Sequence, residues 1–587
     1  MQLIIREYLG LLRESREFDQ LLPDLLSAMD IVPTSRPQIG VRQAGVDLAA
    51  IGKDKQSGRD CLYLFVIKRG DIGRKDWDSG DNSVRQSLNQ VRDVYLRSNI
   101  PPEQQDYLKK IVLCTTGDLK QDVQQDWAGY ASLEEKPDER VYELWNGDRV
   151  AKMIEDHLLD EYALPSEARS DFRKALALIA EPEYDLTHYY RVLQRLLLNE
   201  PATDGKAAMT PKQLTKALNT VHFALNILFH WAQDGGNLRN AVLGAERSAL
   251  WGWEALRRQN LMQDRPVRQA YARLFHGYRN IAITYFNKIQ PHCHVRDGLS
   301  SFAGESVLIT EQVFEQVGIV ALLGLILLND PSNADGQNPA QIIANSLISA
   351  MNNNPASAAP CYDGHMIEVS LALLLLLYTM QVEPAQHWIK DLARHIIRGF
   401  QLGRGFPIAT DSFEDLVELK VHGAGEDLER LQDLSTLLPA LAQWAAVFGD
   451  NDSYQSIVGS QGEGMPLAAC CFQLWYPEVQ TDELLYREPA HIEGGTTQAQ
   501  IVLPDTIVAL AEELVLLEQS GYVAKIEEFS CYAHGMLFLD LVASRHFRTP
   551  VNPHHWQRAL IRVKKHSDRT SDRESPMGNA ASQTTTG

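Results

Sequence analysis

Residues 61–68, Cys-Leu-Tyr-Leu-Phe-Val-Ile-Lys, form an apolar run that ends in a lysine. Because polar and apolar residues hardly alternate in it, the run predicts a strand that is covered on both faces. Residues 46–51 precede it as a second apolar strand, and the charged segment 53–60 between the two is typical of a hairpin. A chain that contains this strand needs further elements on both of its sides.

Helical patterns supply those elements. Between Phe18 and Met29 apolar residues recur at spacings of three and four, which predicts a helix with one buried face. An extended segment (32–42) follows this helix, and a Gly/Asp-rich loop (71–82) follows the apolar run, with Trp77 expected to pack over the sheet. The remaining predicted elements are a helix at 84–95, a strand at 110–116, a helix at 119–130, a strand at 140–145 and a helix at 148–159. We expect residues 1–165 to form one α/β domain.

Strand patterns nearly vanish beyond this domain. Helical periodicity dominates residues 166–565, which predicts a large all-α domain, and breaks at 352–364 and 459–466 could divide it. No fixed period of roughly 30 to 45 residues indicates a helical repeat array. Residues 566–587 have little apolar surface to bury and are expected to be a disordered tail. The predicted fold class is therefore multidomain, α/β followed by all-α.

Length and charge limit the protein class. A chain of 587 residues exceeds one hydrophobic core and predicts about two to four domains. Its net charge of −20 disfavours a protein that coats nucleic acid. The segment 53–97 differs, because ten Lys/Arg and seven Asp/Glu give it a local charge of +3. Nucleic acid could therefore be bound locally.

Cysteines and apolar runs bear on location. The seven cysteines show no regular spacing, which favours a reducing compartment, expected to be the cytoplasm. The most apolar runs, 317–328 and 369–380, are about twelve residues long, whereas a bilayer span needs about 20. We expect both runs to be buried helices and the protein to have no membrane partner.

Three short segments carry the candidate chemistry: Phe18-Asp19 in the first helix, Gly45-Val46-Asp47 at the first strand and Val66-Ile67-Lys68 at the end of the second. With the order of elements around them, they make residues 1–165 resemble the restriction-endonuclease-like PD-(D/E)XK superfamily, most closely its Mrr-like branch. In that branch Phe-Glu opens the first helix, Gly-x-Asp ends one strand, and Gln-x-Lys or Glu-x-Lys ends the next. The resemblance implies the nuclease fold and phosphodiester hydrolysis, with nucleic acid, expected to be DNA, as the partner.

The resemblance also implies roles for these residues. Asp47 would be the principal ligand of Mg²⁺ or Mn²⁺, Asp19 an outer ligand, and the backbone carbonyl of Ile67 a further oxygen. Lys68 would orient the attacking water or stabilise the charge that develops on the phosphate. This chemistry needs a hard cation with oxygen ligands, because the cation neutralises phosphate charge and activates water.

Position 66 departs from the family pattern. It lies two residues before Lys68, on the same face of the strand, where a carboxylate or amide is expected, and it is Val66. Either the missing ligand has migrated, with Asp71, Gln86 and Gln90 as candidates, or the domain binds without cutting. We therefore include Gln86 among the candidate catalytic residues and Asp71 among the candidate metal ligands.

Each candidate has a plain structural alternative. Asp47 could cap a turn, and Asp19 could be a helix N-cap. Lys68 could be a solvated strand end, and Gln86 and Gln90 could belong to an exposed helix face.

The leading hypothesis is a metal-dependent nuclease coupled to a helical domain that senses a trigger, binds a protein partner or forms a homo-oligomer. By resemblance, this layout is similar to that of anti-phage defence effectors. The alternative is a catalytically inactive nuclease fold that serves as a scaffold for nucleic acid or protein. Val66 and the acidic net charge favour the scaffold, whereas Asp47 and Lys68 favour the nuclease.

Overall fold

The computed structural model of the chain describes residues 2–11, 15–34, 44–54, 58–80, 83–158, 166–198, 209–300, 306–328, 338–402, 413, 416–417, 421, 433–497, 500–521 and 523–574. By its internal contacts the chain divides into two compact units, residues 1–241 and 242–587. Each unit is described by itself below.

A five-stranded mixed sheet lies in the first unit. Its strands, whose spatial order equals their chain order, are β1 (Val32–Pro33), β2 (Leu48–Lys53), β3 (Asp60–Lys68), β4 (Leu108–Thr115) and β5 (Arg140–Trp145). β2 is antiparallel to β1 and β3, whereas β3, β4 and β5 run parallel. The predicted N-terminal α/β region is confirmed. The edge strand β1 is an addition, because a two-residue strand is too short to show a period in the sequence.

Helices connect and flank these strands. They are α1 (Gln2–Leu11), α2 (Ser15–Ala28), α3 (Arg74–Asp78), α4 (Val84–Gln90), α5 (Gln121–Glu134), α6 (Gly147–Met153), α7 (Ser166–Leu178), α8 (Thr187–Leu197) and α9 (Pro211–Asp234). π-helical turns, Val91–Tyr95 and Ile154–Leu158, extend α4 and α6. The predicted helices at 84–95 and 148–159 are therefore present with a changed hydrogen-bond pattern in their second halves.

Strand β3 is covered on both faces, as its sequence predicts. Leu64 and Val66 belong to the same buried cluster as Leu88 of α4. On the opposite face Phe65 is fully buried, and its ring centroid lies 5.2 Å from that of Trp145 in a T-shaped contact. β3 is thus the middle strand of the sheet and is packed on both of its faces.

The loop predicted at 71–82 contains the short helix α3. Five residues are too few for an apolar period, so the sequence did not indicate this helix. Its Trp77 is 2% exposed and makes T-shaped contacts with Trp127 at 6.4 Å and Tyr130 at 6.2 Å. Trp77 also belongs to the buried apolar cluster that contains Leu64 of β3 and Leu113 of β4, so the expectation that it packs over the sheet is confirmed.

The first unit continues past residue 165. Tyr8 of α1 is buried, and its ring lies 5.5 Å from Phe223 and 5.3 Å from His230, both on α9. The helices from α7 to α9 therefore share a compact unit with the sheet. A domain boundary at residue 165 stays a prediction.

The second unit is mainly helical. Its helices are α10 (Leu238–Arg258, which begins in the first unit), α11 (Arg265–Cys293), α12 (Ser306–Leu327), α13 (Pro339–Asn353), α14 (Met366–Tyr378), α15 (Val382–Gln401), α16 (Leu437–Val447), α17 (Asn451–Gly459), α18 (Ile507–Ser520), α19 (Leu539–Phe547) and α20 (His554–Glu574). The breaks predicted at 352–364 and 459–466 are interruptions between helices inside this unit.

Two short ladders correct the expectation of an all-α region. β6 (Leu434–Ser435) pairs in parallel with β7 (Cys471–Phe472), and β8 (Trp475–Tyr476) pairs antiparallel with β9 (Thr496–Thr497). Each pairing joins segments that are distant in the chain, which local periodicity cannot indicate.

The C-terminal helix α20 is longer than expected. It runs to Glu574, into the segment 566–587 that was expected to be a disordered tail. No Gly or Pro stands between residues 554 and 574 to end the helix. Residues 575–587 lie outside the described part of the chain.

One described helix is long and apolar enough to span a bilayer, Val307–Leu327 within α12. Of its most apolar window, 72% is buried inside the protein, as in the core helix of a globular domain.

Candidate functional site

The candidate residues meet at one edge of the sheet. In the register of β3 and β4, Lys68 stands opposite Thr115. The amino end of the antiparallel strand β2 lies at the same edge, because Leu48 stands opposite Phe65. Ligands of open sheets with parallel strands bind beyond the carboxyl ends of those strands.

A tight turn brings Asp47 to this edge. Gly45 has a φ of +83°, a conformation that favours glycine, and Ala44 before it has a φ of +50°. A Cβ at position 45 would overlap the carbonyl oxygen of Ser87. The turn therefore packs directly onto the backbone of α4.

Asp47 is bound to β3 through both its backbone and its side chain. Its N–H donates to the carbonyl oxygen of Phe65 at 2.9 Å, and its Oδ2 accepts the N–H of Ile67 at 2.7 Å. The side chain is half-buried. Its carboxylate is thus held beside the Val66–Ile67 peptide, where the sequence had placed a metal ligand.

Lys68 is the last residue of β3 and is also half-buried. Thr115, opposite it, is fully buried and donates its hydroxyl to the carbonyl oxygen of Gly70 at 2.6 Å. Gly70 in turn donates its N–H to Oγ1 of Thr116 at 3.0 Å. These bonds fix the chain immediately after Lys68, so the lysine emerges from a rigid strand end.

Val66 lies entirely in the core. It is 0% exposed, stands opposite Leu113, and shares an apolar cluster with Leu64 and Leu88. The position where the family has a ligand therefore carries a packing side chain.

The candidate replacement ligands lie in different surroundings. Asp71 is exposed, and its Oδ1 accepts the N–H of Asp118 at 3.0 Å. Gln86 is exposed on α4, whereas Gln90 is half-buried there, with its Cβ beside Gly45. The turn that carries Asp47 is thus next to Gln90, one helical turn beyond Gln86.

Asp19 belongs to α2, which begins at Ser15. Asp19 therefore lies within the helix, and the N-cap alternative is wrong. Its side chain lies outside the described part of the structure.

A polar cluster beside this edge escaped the sequence analysis. Asp118 accepts hydrogen bonds from Arg6 of α1 through Oδ2 at 2.5 Å and from Asn146 through Oδ1 at 2.8 Å. These bonds, with the one to Asp71, join the segments after β3, β4 and β5. The available signal was an aspartate two residues beyond Thr-Thr at the end of a buried strand.

A groove of about 220 Å³ adjoins this cluster. Its lining residues are Asp118, Leu119, Gln124, Trp127, Leu144 and Asn146. The side chains of Asp118 and Asn146 are hydrogen-bonded to each other, and together they form one wall of the groove.

The carboxylates at this edge fit a metal ion that takes few of its ligands from the protein. Among the described residues no group of three or more His, Cys, Asp or Glu side chains could hold a metal ion. Asp47 and Asp71 are described carboxylates at this edge, and Asp47 accepts the N–H of Ile67 near the end of β3. Mg²⁺ is commonly held by one or two carboxylates, with water and substrate phosphate as its other ligands. Asp47 is compatible with such a shell, although no complete protein cage is formed by the described chain.

A scan of protein-family models gave no match to this chain, and neither did searches of curated proteins and of solved structures.

Proposed function

We propose that the N-terminal sheet domain is a metal-dependent nuclease that hydrolyses phosphodiester bonds, with DNA as its expected substrate. One observation carries the proposal: the Asp47 carboxylate is held on the N–H of Ile67, one residue before Lys68. A carboxylate and a lysine at the ends of neighbouring strands are the pair that this chemistry requires. The resemblance to PD-(D/E)XK enzymes and the local charge of +3 around the site support the same reading.

Each residue has a defined task in this proposal. Asp47 would hold Mg²⁺ or Mn²⁺, which when bound supplies a positive charge at the phosphate and lowers the pKa of a coordinated water. Lys68 would place its ammonium against the phosphate oxygen on which negative charge develops. The hydrogen bond from the N–H of Ile67 fixes the direction of the Asp47 carboxylate.

A second candidate function rests on Val66. Its burial leaves one ligand position of the family pattern without an oxygen. In this alternative the domain is an inactive nuclease fold that binds nucleic acid or a protein. The nuclease cleaves nucleic acid, whereas the inactive fold only binds nucleic acid or a protein.

A plasmid-cleavage assay in Mg²⁺ or Mn²⁺ separates them. We expect the wild-type chain to cut, and Lys68→Ala to lower the rate by about 100-fold or more, since lost stabilisation of transition-state charge costs on this order. Lys75→Ala, which removes an exposed lysine of α3, should cut like the wild type. Cleavage that survives in folded Lys68→Ala would place the active site elsewhere, and a wild type that binds DNA without cutting would favour the scaffold.

Asp47→Asn provides the control for the metal. An amide oxygen can still accept the Ile67 N–H, so the fold should persist while the negative charge is lost. A divalent cation that binds the native state raises the melting temperature. We expect that rise in the wild type and its absence in Asp47→Asn; an equal rise in both would exclude Asp47 as the ligand.

The helical remainder would sense a trigger, bind a protein partner or form a homo-oligomer, as in the anti-phage effectors that the layout resembles. We place the protein in the cytoplasm, because all seven cysteines are free thiols.

A further inference from the structure

The groove of about 220 Å³ beside the sheet edge combines apolar and polar side chains. Its lining residues are three apolar and three polar ones: Leu119, Trp127 and Leu144, and Asp118, Gln124 and Asn146. Pockets for drug-sized ligands measure about 300–1,000 Å³ and are mostly apolar, with a few polar groups that orient the ligand. The groove has such a lining at a smaller size, which suits a single heteroaromatic ring system.

The groove lies at the carboxyl ends of two parallel strands. β4 ends at Thr115 and β5 ends at Trp145. Asn146 follows β5 directly, and Asp118 lies shortly beyond the end of β4. Open sheets of parallel strands bind their ligands outside these carboxyl ends. The polar groups of the groove therefore occupy a position that is typical of a binding site.

Trp127 of α5 supplies the aromatic surface of the groove. Its side chain is half-buried, and its ring contacts that of Trp77 in a T-shaped arrangement at 6.4 Å. Trp127 and Leu144 pack against the buried apolar cluster that contains Leu119. The core thus holds the indole in place while part of it stays accessible. A ring fixed in this way can stack on a planar ligand.

Asp118 and Asn146 place a hydrogen-bond acceptor beside a donor. Nδ2 of Asn146 donates one hydrogen to Oδ1 of Asp118 at 2.8 Å, and Arg6 donates to Oδ2 at 2.5 Å. Oδ1 of Asn146 accepts the N–H of Arg149 at 3.1 Å as the N-cap of α6. Within the described chain the second amide hydrogen of Asn146 has no acceptor, and each carboxylate oxygen of Asp118 can accept a further bond. Both side chains are therefore fixed and can still bind a ligand.

The charge of the lining disfavours an anionic group in the groove. Neither Lys nor Arg is among the six lining residues, and the side chain of Asp118 is 46% exposed. A phosphate in the groove would face this carboxylate, whereas an amino group would donate a hydrogen bond to it. The matching ligand is therefore a flat, uncharged ring that carries an amino group next to an acceptor atom.

We propose that the groove binds an unpaired adenine or cytosine base. The base stacks on Trp127, its amino group donates to Asp118, and the neighbouring ring nitrogen accepts the free N–H of Asn146. Thymine and uracil carry a carbonyl oxygen in place of the amino group, and that oxygen would face the carboxylate.

The inference deepens the proposed function and rests on it, because nucleic acid is the expected source of the base. Proteins read an unpaired base by stacking and by hydrogen bonds to its pairing edge. A free nucleotide would bring the same chemistry, so the experiment includes both sources.

The test is the affinity of the full chain for labelled single strands of about 12 nucleotides, measured by fluorescence anisotropy in EDTA so that no cleavage occurs. We expect oligo(dA) and oligo(dC) to bind about tenfold more tightly than oligo(dT). Trp127→Ala should weaken the binding of oligo(dA) about tenfold, because the stacking surface is lost, and Trp127→Phe should retain most of the affinity. Leu133→Ala, which removes an exposed leucine of the same helix, is the matched control and should bind like the wild type.

AMP is the second probe, and calorimetry measures its affinity. Binding of AMP that is lost in Trp127→Ala would identify a free nucleotide as a source of the base. Binding of oligo(dA) without binding of AMP would identify a base within a strand.

Four results would overturn the inference. They are the absence of binding to either probe, an unchanged affinity in folded Trp127→Ala, an equal loss in Leu133→Ala, and oligo(dT) binding as tight as that of oligo(dA) and oligo(dC). Circular dichroism identifies misfolding; if Trp127→Ala misfolds, Trp127→Phe and the base preference of the wild type carry the test. Base binding in EDTA does not depend on cleavage, so a wild type that binds these bases and never cuts would contradict the nuclease proposal alone.

Discussion

Single residues set the geometry of the sheet edge. Gly45 lies against the carbonyl oxygen of Ser87, and two residues later Asp47 accepts the N–H of Ile67. The position of the candidate ligand therefore depends on a backbone conformation that only glycine adopts freely. Val66 is a second such residue, and it disfavours a metal ligand at its position. A carboxylate introduced at position 66 would be buried in an apolar cluster and would lower the stability of the fold.

Gly45→Ala should destabilise the protein by about 3 kcal/mol or more, because it adds an overlap with Ser87 to the strain of about 1–2 kcal/mol for a left-handed non-glycine residue. Gly58→Ala is the matched control, since Gly58 has a φ of +68° and open space around its Cα. Gly58→Ala should lower the free energy of unfolding only by the strain of the left-handed conformation. Urea unfolding measures both, and equal losses would mean that the packing of the turn onto α4 contributes nothing.

At the scale of elements, the sheet contains a buried cluster of charged side chains. Nζ of Lys110 on β4 lies 2.8 Å from Oδ1 of Asp54 and 2.9 Å from Oε1 of Glu143 on β5. All three side chains are at most 16% exposed. Burial acts to raise the pKa of Glu143, but hydrogen bonds from Trp145 and Lys110 hold it below the usual value. The strands are thus joined by ionised side chains as well as by their ladders.

Lys110→Met should cost about 3 kcal/mol at pH 7, because it removes the buried cation that pairs with both Asp54 and Glu143, whereas Arg149 still pairs with the other oxygen of Glu143 at 2.6 Å. In the wild type the folded pKa of Glu143 is depressed, so its contribution is present above pH 4.5 and is lost as the pH falls through the folded value. The difference between wild type and variant should therefore shrink toward pH 4, as this contribution of Glu143 is lost.

Lys136→Met is the control for this prediction. Lys136 is exposed and pairs with Glu139 at 3.2 Å, and exposed pairs contribute less than about 1 kcal/mol. Urea unfolding at the two pH values tests the network. A loss in Lys110→Met that is constant with pH would show that methionine fits the site badly for reasons of shape.

At the scale of the whole molecule, the chain has two compact units with different charge patterns. In the first, Tyr8 of α1 is 3% exposed and lies against α9, so the sheet domain and helices α7–α9 share buried surface. In the second, residues 265–296 contain no Asp or Glu, in a chain whose net charge is −20.

A fragment of residues 1–236 should be more stable than one of residues 1–165, because the shorter fragment exposes Tyr8. In the longer fragment Tyr8→Ala should cost about 3 kcal/mol, as expected for a large buried aromatic ring, and in the shorter one almost nothing. Thermal unfolding of the four proteins measures this. Equal melting temperatures of the two unmutated fragments would support an independent domain that ends at residue 165.

The sequence by itself determined the order of the longer elements, because the periods of helices and strands are local, whereas the short elements β1, α3 and β6–β9 carry no such period. It also determined that Asp47 and Lys68 reach one edge, since adjacent antiparallel strands bring the start of one to the end of the other. Tertiary structure alone decided that Gly45 touches Ser87 and that Arg6 meets Asp118, 112 positions away. It likewise decided the buried triad of Lys110, Asp54 and Glu143. Those features depend on which distant segments pack together, and a local pattern carries no information about its partner.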